Sequence, residues 1–417
     1  MKPSELARAQ GAHLFFTWSA QHSVVPLTID QARGARFRTV EHGWLWDLES
    51  QVYNVNVGHA HPHVQERMIE QIRSQATAAP NAVLPIRVEL AAALHRVTGL
   101  EKAFLATGGS EAVENAIKIA RLVTGRSKIV TRRNSYHGAT LAVLGIAGDA
   151  RKQPFVADLA PAYHIEDPYP CAEATASSPS LWVRNLEALL QREDPRSVAA
   201  ILLEGFTGTN GMQHPPRDFW PRVRQLCDQH GILLIDDEVF SGFGRTGRWF
   251  AREHWGARAD MMVLGKGLSS GYAPLSAVMV SSAIAAHFDD HKLWCGLTQY
   301  AHPVSCAAAA AVIEVMEREL LVENADRIGA GLHERLQALA RKPAVHGAIR
   351  DVRGLGLMRA VEFDRPVAPL HAILLQRGAY LPFRDNIAFL CPPLCLTGAE
   401  MHTVADLIED GVRAFLR

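Results

Sequence analysis

Three short motifs carry residue types that could act together in one reaction. In DMMVLGKGLSS, Lys266 ends an apolar run and lies between Gly265 and Gly267. Lysine is ordinarily a solvated surface charge. One that closes a buried strand is where a desolvated amine of lowered pKa, able to form a Schiff base, would be placed. In HGILLIDDEVFSGFGRTGRWF, an apolar run leads into Asp236, Asp237 and Glu238 and then a glycine-rich loop. A carboxylate kept ionised at a strand end could hold a pyridine nitrogen protonated and let that ring accept electrons. Helix capping or a surface acid is the plainer reading of the same acids. In FLATGGSEAVENAIKIAR, a short strand ends in Gly108, Gly109 and Ser110, and Val113, Ala116, Ile117 and Ala120 then mark one face of a helix. Free N–H groups and the positive helix end would seat a phosphate, or the turn is simply a helix cap. The P-loop lysine is missing, which argues against nucleoside triphosphate hydrolysis.

The elements that must position these residues alternate. Apolar runs at Ala103 to Ala106, Lys128 to Thr131, Val198 to Leu203, Ile232 to Ile235, Met261 to Leu264 and Ser276 to Val280 are separated by helical stretches. That is an α/β pattern, with strands suited to a sheet covered on both faces. In such sheets ligands lie beyond the carboxyl ends of the strands, where all three motifs fall. After Pro303 the pattern changes to long helices, Val304 to Glu319 and Val322 to Leu339, followed by strand-like pieces at Leu357 to Phe363 and Ile387 to Leu390. The alanine run Ala307 to Ala311 lies within the first of these helices. The expected organisation is a large domain over residues 56–303 and a smaller one built from residues 1–55 and 304–417. The alternating, aromatic GWLWDLES and VYNVNVGHAHP belong to the smaller unit or to the junction.

Composition narrows the function. Lysine plus arginine equals aspartate plus glutamate, 43 each. With no net charge there is no field to attract nucleic acid or an acidic membrane. No run reaches the roughly 20 apolar residues of a membrane span, and the N-terminus lacks the pattern of a secretory signal. Cys391 and Cys395 are the only close pair among six scattered cysteines, with no second pair to complete a zinc site. Reduced thiols in a cytoplasmic compartment are expected. His59 and His61 in GHAHP lack third and fourth ligands, so no metal is expected.

The three motifs in this order resemble the class III (ω-) aminotransferases, of fold type I among pyridoxal-phosphate enzymes. The likeness runs from NVNVGHAHP through TGGSEAVENAIKIAR, SYHGAT, LCDQHGILLIDDEV, LGKGLSSGYAPLSAV, LTQYAHPVSCAAA and VRGLGLM to CPPLCLT. The resemblance implies a large domain with a mostly parallel seven-stranded sheet, plus a smaller α+β domain formed by the N- and C-terminal segments. It implies pyridoxal 5'-phosphate as cofactor, Lys266 as its Schiff-base lysine and proton carrier, and Asp237 as partner of the ring nitrogen. Gly109 and Ser110 would hold the phosphate, Tyr136 and Val239 would press on the two ring faces, and His137 and Glu204 would complete the cofactor set. Thr298 would reach the phosphate from a neighbouring subunit, giving a homodimer with shared active sites. The plainer alternative is Tyr136 as a core aromatic and His137 as a hydrogen-bonded neighbour.

The chain departs from the family pattern where substrate is chosen. Members that handle glutamate or 2-oxoglutarate carry a glutamate switch whose position here is Thr209, and its arginine partner is replaced by Phe389. Losing both charges together is physically coherent, since either alone would be buried unpaired. Phe240 replaces a glutamine that reaches the cofactor hydroxyl. Trp18, Phe240 and Arg384 are the candidates for touching substrate, although Arg384 also reads as a salt-bridged surface residue. The expected reaction moves an amino group from a primary amine or ω-amino acid to pyruvate or a similar small oxo acid. The alternatives are another reaction on the same cofactor (decarboxylation, epimerisation, aminomutation or carbon–carbon bond formation) and a non-catalytic scaffold.

Overall fold

The computed structural model of the chain describes residues 3–159, 161–166, 181–208 and 210–417. In chain order its strands are β1 (Ile29–Arg33), β2 (Arg36–Thr39) and β3 (Gly43–Asp47), then β4 (Lys102–Ala106), β5 (Lys128–Arg132), β6 (Tyr163–Ile165), β7 (Val198–Glu204), β8 (Leu233–Asp237), β9 (Met261–Leu264) and β10 (Ser276–Val280). The last five are β11 (Ile349–Leu355), β12 (Met358–Phe363), β13 (Ala379–Tyr380), β14 (Phe383–Arg384) and β15 (Ile387–Leu390).

The architecture is α/β around a mostly parallel seven-stranded sheet of order β4-β10-β9-β8-β7-β5-β6. Strands β5 to β9 run parallel. β10 alone runs against its neighbours β4 and β9. Every residue of β7 is buried, as a continuous apolar strand covered on both faces must be. Because β10 lies antiparallel between β4 and β9, the carboxyl ends of β4, β5, β7, β8 and β9 share one edge of the sheet.

The apolar runs at Met261–Leu264, Ser276–Val280 and Ile387–Leu390 are strands over those same residues. β8 extends through Asp237, so two of the three acids belong to the strand itself rather than to the loop after it. β6 gave no sequence signal because it is three residues long and carries His164 at its centre. The helix Pro303–Arg318 begins on a proline whose fixed φ suits a first helical position. Its alanines, Ala307 to Ala311, are all buried and let it pack against the helices Pro62–Ser74 and Pro85–Thr98.

Two smaller sheets flank this body. One has the order β1-β2-β3-β13, and β13 joins β3 in parallel with Ala379 opposite Trp46, tying a C-terminal strand to the N-terminal hairpins. The other, β11-β12-β15-β14, is antiparallel. The alternating VYNVNVG forms no strand. Ser50, Gln51, Val52 and Tyr53 all take positive φ, from +46° to +64°. This left-handed turn costs roughly 1–2 kcal/mol per non-glycine residue. Its ends are tied down: the Ser50 hydroxyl donates to the Cys391 carbonyl, and the Asn54 and Val55 N–H groups donate to the Ser50 carbonyl.

Candidate active site

Strand alternation selects one acid of the three. Successive side chains point to opposite faces, so Asp237 opens onto a cavity of about 410 Å³ while Asp236 and Glu238 turn inward. Asp237 Oδ2 lies 2.6 Å from His137 Nδ1, and Oδ1 accepts the Val239 N–H at 3.1 Å. Both contacts fix the orientation of the side chain. Asp236 is fully buried, and burial, with the charge of Glu238 beside it, pushes its carboxyl well above the usual range against the opposing pull of Arg252, 3.5 Å away.

Lys266 follows β9, the strand paired with β8, with Asp237 opposite Val263. It takes φ +42°, a left-handed conformation that costs a non-glycine residue about 1–3 kcal/mol and occurs most often at functional sites. Burial holds its amine below the ordinary lysine pKa, against the pull of Asp237 and Glu204, and nearby Arg151 adds to the depression. The amine nitrogen lies 5.0 Å from the centre of the Phe240 ring.

The glycine turn after β4 opens the helix Gly109–Thr124, whose first N–H groups have no partner within the helix. Ser110 Oγ accepts the Ala139 N–H at 2.9 Å. Gly138 takes φ +149° against Ser110, where a Cβ would collide with the serine. Across the cavity Val239 leaves no room on two other glycines, since a Cβ at Gly109 or Gly265 would lie 3.2 or 3.3 Å from its Cγ1. Glu204, opposite Asp237 in the β7–β8 register, accepts the N–H of Tyr136 at 3.0 Å and of Gly208 at 2.9 Å. It therefore pins the loops after β5 and β7.

Of the residues singled out in the sequence, Lys266, Asp237, Gly109, Ser110, Tyr136, His137, Glu204, Val239, Phe240 and Trp18 all line this one cavity. Thr298 does not; it is exposed in a turn. Arg384 lines the wall of an adjoining outer cavity of about 570 Å³, together with buried Phe389. Thr209 lies outside the described residues. His59 and His61 pair with Asp47 and Glu319 at 2.8 and 3.0 Å, and no metal-binding cluster occurs among the described residues. Sequence reasoning missed Tyr53 and Val52, brought in by the left-handed turn, and Arg151, which lies in no motif.

These side chains fit pyridoxal phosphate. An amine sits at the strand end beside a carboxylate, a helix N-terminus opens onto the same space, and the ring nitrogen His137 Nε2 is buried with no partner among the described residues. The site thus defines a pyridoxal-phosphate-dependent enzyme. Residues 17–412 match the Aminotransferase class-III family, and the chain belongs to that family. It is 36% identical to the 5-aminovalerate aminotransferase of Pseudomonas aeruginosa over 89% of this chain and 92% of the relative. It is 31% identical to the acetylornithine aminotransferase of Methanosarcina acetivorans over 92% and 91%. The taurine:2-oxoglutarate aminotransferase of Bifidobacterium kashiwanohense, solved with PLP and glutamate, superimposes with a TM-score of 0.93 at 30% identity, covering 100% of this chain and 98% of that one. The chain is accordingly a PLP-dependent class III aminotransferase. No helix among the described residues is long and apolar enough to cross a membrane.

Proposed function

We propose that this enzyme transfers an amino group from a primary amine or ω-amino acid to pyruvate or a similar small oxo acid. The observation that carries the reading is the meeting of Lys266, Asp237 and the Gly109–Ser110 turn in one cavity whose outer wall is aromatic, from Trp18, Tyr53 and Phe240. Bound pyridoxal phosphate supplies an electron-accepting ring that stabilises the charge left on a substrate carbon when its proton is removed. Lys266 would hold the cofactor through its Nζ. Its Nζ, held by burial below the ordinary lysine pKa, would accept and return a proton at the substrate carbon. Asp237, fixed by His137 and the Val239 N–H, would pair with the ring nitrogen. Ser110 and the first N–H groups of the helix Gly109–Thr124 would hold the phosphate, and Tyr136 and Val239 would clamp the ring.

Thr298 reaches the phosphate of a second copy, so the working unit is a homodimer. Its exposure supports this, as does that of Phe15, Val25 and Val83, each more than four-fifths exposed in one chain. A reducing cytoplasm suits the unpaired Cys227, Cys295, Cys306, Cys391 and Cys395. Phe389, apolar where a carboxylate-switching arginine would stand, favours an acceptor with one carboxylate. Incubating the PLP-loaded enzyme with amines and either pyruvate or 2-oxoglutarate tests this. Alanine should form faster than glutamate; glutamate as the sole amino-acid product would overturn the acceptor assignment.

A further inference from the structure

Arg151 stands where no motif pointed. It lines both the cofactor cavity and the outer cavity. Its guanidinium lies 3.6 Å from the centre of the Tyr136 ring and 5.0 Å from that of Trp18. Asp149 fixes it in plane, accepting from Nε at 2.7 Å and Nη2 at 2.9 Å. Nη1 is left to meet whatever enters. The described charged side chains lining the outer cavity are Arg151, Arg384 and Asp149, a net of one positive charge. The other end of the continuous space holds Lys266, where the amine must react, and between the ends the wall is Tyr53 and Phe240. A guanidinium already flattened against aromatic rings and fixed by a bidentate carboxylate has lost little freedom still to lose when it takes up an anion.

We infer that Arg151 is the specificity-determining residue that receives the anionic end, a carboxylate or sulfonate, of a substrate whose amine reacts at Lys266. The inference rests on the transaminase reading above and narrows it: the preferred donors are short-chain ω-amino acids rather than simple amines. Phe389 supplies no cation at the position the family pattern would use, and although Arg384 lines the outer cavity beside it, Arg151 is the one described arginine or lysine that lines both the outer cavity and the cofactor cavity.

Two donors of the same chain length, 5-aminovalerate and pentylamine, isolate the carboxylate. The native enzyme should show kcat/KM for 5-aminovalerate at least about tenfold above that for pentylamine, the scale of one hydrogen bond to a charged group. Arg151→Gln should raise KM for 5-aminovalerate by about 10- to 100-fold, with kcat changed less, and lower the ratio of kcat/KM for 5-aminovalerate to that for pentylamine at least about tenfold. Arg151→Lys should recover part of the loss. Valerate, which cannot react, should bind the native holoenzyme in calorimetry and bind Arg151→Gln at least about tenfold more weakly. Equal losses with both donors would make Arg151 a structural residue and overturn the assignment, as would a native enzyme that does not discriminate between them. Conversion of neither donor, with no formation of pyridoxamine phosphate, would sink the transaminase reading instead.

Discussion

Val239 is wedged between two glycines, and Gly265→Ala measures how tightly. Gly265 has φ −172°, extended backbone that alanine adopts freely, so the only new cost is steric. The added Cβ would lie 3.3 Å from Val239 Cγ1 and 3.6 Å from Cγ2. Carbon atoms prefer about 3.5–4.0 Å, so Val239 must give by a few tenths of an ångström, and the open side is the cofactor cavity. Overpacking of this size costs about 1–3 kcal/mol, which at 1.4 kcal/mol per tenfold predicts PLP held about 5- to 150-fold more weakly. Val239→Ala removes both methyls at fault. The double variant Gly265→Ala/Val239→Ala should therefore bind PLP within about threefold of Val239→Ala alone. Titrating apoprotein with PLP, by absorbance of the bound cofactor, gives the four constants of the cycle. Strict additivity of the two losses would refute the contact, because residues that touch must couple.

Lys266→Ala should abolish steady-state turnover while leaving the fold intact; measurable multiple turnover would remove Lys266 from its role. Asp237→Asn keeps the shape but not the charge, and should lower kcat at least about 100-fold with KM little changed, as for loss of a buried charge acting in the transition state. His137→Phe removes the 2.6 Å contact to Asp237 and should lower kcat by about 10- to 100-fold, the worth of one charge-assisted hydrogen bond; unaltered pH–rate and absorbance profiles would contradict this. Glu49 is raised to about 7, by burial first and then by the charge of Asp47, against the Val52 N–H. A raised folded pKa means the folded state holds this proton more tightly, so its contribution is intact below the unfolded value and lost as pH rises to about 7. Glu49→Gln should thus gain stability over the native chain by up to about 3 kcal/mol more at pH 8 than at pH 4.5. Urea midpoints that shift equally at both pH values would refute it.

The chemistry was legible in the sequence because it is local. Lys266, Asp237 and the Gly109–Ser110 turn each end an apolar run, and parallel strands deliver such ends to one edge. The substrate wall was not legible, for two physical reasons. Tyr53 and Val52 arrive through a left-handed turn that residue types such as Gln and Val argue against, and which is sustained by distant contacts such as Ser50 to Cys391. Arg151 is positioned by tertiary stacking on Trp18 and Tyr136, which no spacing encodes. His137 is the hydrogen-bonded neighbour that its plainer reading expects, touching Asp237, and it also lines the cavity.

In the β7–β8 ladder Glu204 is opposite Asp237, and β9, which leads to Lys266, is the next strand across. Glu204, Asp237 and the lead-in to Lys266 thereby stand on neighbouring strands, spaced by the sheet's own repeat of about 4.8 Å. Trp18, Tyr53, Arg151 and Phe383, by contrast, hang from segments outside that sheet. The rim therefore rests on chain that no ladder of the central sheet holds, and Arg151, which also depresses the Lys266 amine, is where rim and sheet meet.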